Sequence, residues 1–184
     1  MKAYKFLLPG GVGPFSGHHW PAPEDGRPGP WVASAGAALI RCRAAVHACR
    51  VEHLPWWIHD ELWEIELAGP VRQVGHKLIA PRGRLVRRCD GWDAEAVDAF
   101  AGACADRAAD WAAAALAAAG DTPEAARISV TMAADAATRA GQGRASTTAY
   151  IAAHAAHRVG GPEAMAAERR RQAAWFSERL GPAS

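Results

Sequence analysis

The sequence predicts an α+β fold: a small, mostly antiparallel sheet to about residue 90, followed by three to four alanine-rich helices. The segment ELWEIEL at 61–67 alternates strictly, with Leu62, Glu64 and Glu66 on one face and Glu61, Trp63, Ile65 and Leu67 on the other. A period of two belongs to a strand. At Asp93 the period lengthens, and Val97, Phe100, Ala101, Cys104, Ala108, Trp111 and Ala115 fall on one helical stripe. The alanine excess also lies after residue 94. Alanine is the best helix former because it loses no side-chain entropy.

The elements follow from local signals. Residues 3–8 are apolar and closed by Pro9-Gly10-Gly11, which predicts a first strand. Residues 9–30 form a Gly/Pro-rich loop carrying His18, His19 and Trp20, long enough to be either a functional lid or a mobile segment. Two short strands are expected at 31–35 and 38–42, and a buried one at 46–49. Helical turns follow at 52–58, bent near Pro55. After 61–67 and the Gly69-Pro70 turn come strands at 71–74, 77–79 and 84–87. Their short connections predict an antiparallel meander. Asp93 caps the first long helix and Gly120 closes it, and Thr122-Pro123-Glu124 starts a second helix that ends at Gly141. Two more helices are expected over 146–159 and 162–180. The organisation expected is a mostly β region at 1–92 with a helical region at 93–184 packed on it as one globular unit.

A chain of 184 residues can bury a core without metals or disulfides. Its net charge of +2 is too near neutral to argue for nucleic acid or a membrane surface as partner. No apolar run reaches the roughly 20 residues that cross a bilayer, and the opening MKAYKFLLPGG is too short for a signal-peptide core. The expected setting is cytoplasmic, with Cys42, Cys49, Cys89 and Cys104 as reduced thiols.

Chemistry-bearing residues concentrate before residue 77. His47, His53 and His59 recur at intervals of six, with Cys42, Cys49, Asp60, Glu61 and Glu64 nearby. These are ligand types for zinc or iron, but none has the i, i+4 spacing of a helical metal motif, so scattered core and surface residues with no cofactor are expected, and a zinc or iron site is the minor alternative. His47 and Cys49 are two apart on a strand and share a face, so His47 would lower the Cys49 pKa and make it a nucleophile, with Arg50 available for an anion. A buried structural cysteine is the competing reading. Glu64 and Glu66 share the polar face of their strand and are either an acid/base pair or a solvated face. Trp20, Trp31, Trp56, Trp57 and Trp63 gather in the first third, as the wall of a ligand pocket or as core. In the tail, Tyr150, His154 and His157 share a helical face, and Glu168-Arg169-Arg170-Arg171 is expected to be a solvated one.

The residues His47-Ala48-Cys49-Arg50, Leu54, Trp57, Glu61-Leu62-Trp63-Glu64, Gly69, Lys77, Leu85-Val86-Arg87 and Trp92 carry a resemblance. The chain is similar to uncharacterised actinobacterial proteins with an H-x-C-R … LW-x-V/I-E block, and more loosely to phage and bacterial domains with a GFHxC segment before a strand. Its tail, from Glu168 through Gln172 and Trp175 to Leu180, resembles the alanine-rich ends of proteins labelled as immunity proteins. Ala45 stands where that pattern has glycine. The resemblance implies no settled activity.

The function expected is a small-molecule enzyme, in a setting such as bacterial specialised metabolism, with its site between the 9–30 loop and the strands at 46–49 and 61–67. His47 is the expected acid/base, Cys49 the nucleophile or a ligand, and Glu64 their carboxylate partner. His18, His19, Trp20, Arg50, Trp57 and Trp63 are expected to bind the substrate. The alternative is a protein-binding or immunity-type module that uses the alanine-rich helices. A homo-oligomer is left open.

Overall fold

The computed structural model describes residues 1–34, 45–119 and 123–180. Cys42, the strand expected at 38–42, and the Gly120 and Thr122 helix signals lie outside the described residues. The chain divides into two units, Met1–Gly91 and Trp92–Ser184. The fold class is α+β: strands make the first unit and helices the second.

The first unit contains β1 (Lys2–Leu7), β2 (Val32–Ala33), β3 (Val46–Ala48), a 3₁₀ turn at Val51–Trp56, β4 (Glu61–Ala68), β5 (Arg72–Val74), β6 (Lys77–Ala80) and β7 (Arg82–Arg88). All pairings are antiparallel, but they make two sheets rather than one meander. One has the order β1-β4-β7-β2 and the other β3-β6-β5. After β4 the β5–β6 hairpin leaves for the second sheet, and β7 returns to pair with β4. The reason is the apolar inner face. Ala3, Leu7, Ile65, Leu67 and Leu85 of the first sheet share one buried cluster with Val46, Ala48, Leu78 and Ala80 of the second. A single meander would leave that face in water.

The two sheets meet closely at Gly83 on β7. A Cβ there would lie 2.7 Å from Val46 Cγ1 and 3.2 Å from both Ile65 and Leu67. Gly83→Ala is therefore expected to over-pack the core and cost about 1–3 kcal/mol, read as a lower urea midpoint with an unchanged slope.

The second unit contains α1 (Ala94–Ala118), α2 (Pro123–Ala140) and α3 (Ala145–Leu180). Asp93 caps α1 by accepting the Ala96 N–H at 2.8 Å. Phe100, Ala101, Cys104 and Ala108 are buried as the stripe predicts, but Ala112 takes the next buried place instead of Trp111. Inside α3, Gly161 at φ 71°, ψ −164° breaks the helix just before Pro162, giving the two segments that the sequence separates there. Trp92, Phe100, Trp175 and Phe176 pack with ring centroids 5.0–6.1 Å apart. Among the described residues no helix is long and apolar enough to cross a membrane.

One reading of the tail is overturned. Glu168 is 0 % exposed and Arg169 only 7 %, so this stretch is not a solvated face. The helical period puts 168, 169, 172 and 176 on one inward side and leaves Arg170 and Arg171 outside. Glu168 accepts Arg107 Nε through both oxygens at 2.9 Å and Gln172 Nε2 at 2.8 Å. Gln172 also donates to the Ala149 carbonyl and accepts from Arg169. The buried carboxylate is thus fully engaged, as a buried charge must be.

Candidate active site around Lys5

The alternation in β1 puts Ala3, Lys5 and Leu7 on the inner face, among the apolar residues of the core. Lys5 is half-buried there, so its amine loses much of the water that surrounds a surface lysine. Its Nζ instead donates to the His47 carbonyl on β3 at 2.9 Å and lies 4.9 Å from the centre of the Trp20 ring. Among the described residues no ion pair includes Lys5. Burial pulls its pKa from the ordinary 10.5 to about 8; Cys49 opposes this and the charge of Lys77 adds to it.

Its neighbours differ in burial: Cys49 and Trp20 are buried and His47 is half-buried. Cys49 is 2 % exposed, and burial pushes its thiol up to about 12 against the pull of Lys5. The direction expected from the His47–Cys49 spacing is therefore reversed. Burial outweighs any cation, and the sulfur is a neutral thiol at the pH where Lys5 loses its proton. His47 is lowered to about 4 by burial first, then by Lys5 and Lys77, and its Nε2 is buried without a hydrogen bond. It is a neutral imidazole at neutral pH. Since its folded value lies below the ordinary 6.5, its contribution to stability is complete above that pH and is lost as pH falls towards 4. About 1–2 kcal/mol should disappear over that window after allowance for screening, and His47→Gln should flatten the loss in acid-unfolding curves.

Glu64 does not join this group. It sits on the opposite face of β4 from Trp63 and is held by Arg87, whose Nε donates to it at 2.9 Å. Of the three residues expected to form one catalytic set, His47 lies on β3 of the second sheet with Cys49 just after it, while Glu64 lies on β4 of the first and is taken up by Arg87. Glu66 is similarly paired with Arg84 at 2.7 Å.

The 9–30 segment is tied down at several points. Trp20 N–H donates to Gly11 O at 3.0 Å, Leu8 N–H to Val12 O at 2.8 Å, and Gly29 N–H to Leu85 O at 2.9 Å. Its main anchor is Glu61, a residue the sequence noted only for its proximity. Gly10 and Gly11 both have positive φ, which aims their successive N–H groups at the Glu61 carboxylate at 3.1 and 3.2 Å. The Trp63 indole N–H adds a third donor at 3.0 Å. Glu61→Ala leaves these donors unpaired and should cost about 2–3 kcal/mol, with a shift in tryptophan emission as Trp63 loses its partner.

The segment brings Trp20 over Lys5 and His18 edge-on to Trp20, with centroids 5.5 Å apart; His19 is exposed and bridges to Val12. Trp57 is partly buried, donates to the His76 carbonyl at 3.0 Å, and carries Lys77 4.3 Å from its ring centre. Neither Trp56 nor Trp57 is core. Arg50 is exposed where the 3₁₀ turn begins. Trp63 lies across the strand pair from Lys5 on the same face. Of the residues singled out in the sequence, His47, Cys49, Trp20 and Trp63 are thus placed about Lys5, with His18 behind Trp20. Glu64, Arg50 and His19 are elsewhere.

The chain has only three lysines, Lys2, Lys5 and Lys77, among 21 basic residues. Two of them act on the same imidazole. Sequence reasoning missed Lys5; that scarcity, and its inward register in β1, are the signals by which the sequence marks it. Among the described residues no group of three or more His, Cys, Asp or Glu is placed to hold a metal ion. No family model, curated protein or solved structure matches the chain.

Proposed function

We propose that the β-rich unit is a small-molecule enzyme in which the Lys5 amine is the reacting group, attacking a carbonyl carbon of its substrate. The observation that carries this reading is the placement of Nζ against one neutral carbonyl and one aromatic ring, with no carboxylate beside it. Such a site disfavours the ammonium, and a desolvated lysine beside a second cation is a known way to activate an amine. With a pKa of about 8, roughly a quarter of Lys5 is neutral at pH 7.5, against about 0.1 % of an ordinary lysine. In the reaction a C–N bond forms, the carbonyl oxygen takes up protons and leaves as water, and an imine remains on Lys5. His47 orients the amine through its backbone carbonyl, and Trp20 walls the site.

The experiment is trapping by a small neutral aldehyde. The protein is treated with propionaldehyde and cyanoborohydride at pH 7.5, and its lysine peptides are read by mass spectrometry. The reading expects the adduct on Lys5 before Lys2 and Lys77. An adduct pattern that follows exposure, with Lys2 first, contradicts it.

A second reading, recognition of another protein, is favoured by Phe15. It is 81 % exposed and stands edge-on to Trp57 and His59, with centroids 6.4 and 6.0 Å apart. Aromatic groups of this kind are enriched at interface centres. On this reading the contact surface would lie on the β-rich unit, whereas the sequence reading put it on the alanine-rich helices. Sedimentation of the wild type beside Phe15→Ser decides whether a second copy is the partner: self-association lost in the variant supports it, and a monomer in both removes it.

A further inference from the structure

The register of the first sheet sets Lys5 opposite Trp63 and Trp63 opposite Arg88, so the three make one row on the same face. Adjacent strands lie about 4.8 Å apart, so the row spans roughly 10 Å from backbone to backbone. Over its Trp63–Arg88 end stands the 23–28 part of the loop, and between them is an open groove of about 580 Å³. Pro23 and Pro28 wall it, and Trp63, Arg87, Arg88 and Asp90 supply its aromatic and charged lining. This is within the size range of small-molecule sites.

The lining residues differ in how far they are already engaged. Arg87 is committed to Glu64, and the Trp63 ring is fixed by its bond to Glu61. Arg88 is held only loosely: its Nη1 is 3.7 Å from Glu61, beyond hydrogen-bond reach, and its side chain is 50 % exposed. A fixed indole face beside a loosely held guanidinium suits a flat molecule bearing an anionic group, since the fork of arginine matches carboxylate and phosphate. Asp90 on the same lining selects against a second anionic group and accepts from a ligand hydroxyl or amine.

We infer that this groove binds the anionic end of the substrate, with a planar body on Trp63 and a carboxylate or phosphate on Arg88. The inference rests on the Lys5 reading for its link to chemistry. Together they give the substrate class: a planar aldehyde or ketone carrying an anion, long enough to reach along the row.

Two measurements test it separately. Calorimetry with benzoate, phenyl phosphate and phenol reads the groove alone. Binding of either anion, tighter than phenol and lost in Arg88→Met, is expected, and whichever anion binds better identifies the headgroup. Equal binding of all three, or none, overturns the inference whatever Lys5 does. The second measurement compares trapping of Lys5 by 4-formylbenzoate and by benzaldehyde. The anionic aldehyde is expected to label at least about tenfold faster, with the ratio near one in Arg88→Met and intermediate in Arg88→Lys. If both aldehydes label Lys5 equally in the wild type, the groove plays no part and the amine reading survives. If anions bind but neither aldehyde reaches Lys5, the amine reading fails, and with it the substrate class.

Discussion

Glu168→Ala is expected to destabilise the helical unit by about 3–5 kcal/mol, the largest loss from any single substitution considered. The wild-type carboxylate is 0 % exposed and takes three hydrogen bonds, two from Arg107 and one from Gln172. Among the described residues, removing it leaves Arg107 with the Cys104 sulfur, 3.2 Å from Nη2, as its remaining hydrogen-bond partner. The damage comes from the uncompensated guanidinium more than from the lost contact. Glu168→Ala together with Arg107→Ala should therefore recover part of the loss, and Glu168→Gln should fall between. Chemical unfolding of these proteins together with Arg107→Ala and the wild type gives the coupling. Additive losses would show that Arg107 and Glu168 are not a unit.

Lys5→Met is expected to abolish aldehyde trapping at position 5 and at the same time to raise stability at neutral pH. The folded pKa of about 8 lies below the ordinary 10.5, so the unfolded chain binds this proton more tightly than the folded one. The contribution of Lys5 to stability is complete above pH 10.5 and is lost as pH falls to about 8, so at pH 7 the full cost of the desolvated ammonium is present. Methionine fills a similar volume without that charge. A gain of about 1–3 kcal/mol at pH 7 is expected, shrinking to nothing as pH approaches 10.5. A lysine kept for structure would give the opposite sign, because its loss would remove a hydrogen bond and a ring contact and return nothing. Stability given up at a reacting group is a common pattern in enzymes.

Much of the fold was legible in the sequence because its signals are local. The period-two stretch at 61–67, the Asp93 cap and the Gly160-Gly161-Pro162 break each act within a few residues. The division into two sheets was not legible, since it depends on which apolar faces meet: Val46 and Leu78 against Ile65 and Leu85. The site was read by residue type, which favoured His47, Cys49 and Glu64 over lysine. What the sequence could not give was desolvation. Burial keeps Cys49 a thiol and His47 neutral, and cross-strand pairing with Arg87 takes Glu64 away. The same burial lowers the Lys5 pKa, and the scarcity of lysine and the inward register of Lys5 in β1 are its visible traces. Glu61 and Glu168 were missed for a related reason: carboxylates that hold a fold together resemble solvated ones until their donors are placed.

The most direct test of the central claim is the rate of reductive alkylation at Lys5 as a function of pH, followed peptide by peptide with Lys2 as internal reference. The account predicts a midpoint near 8 for Lys5, well below the ordinary 10.5. A Lys5 midpoint at the ordinary 10.5 would contradict it.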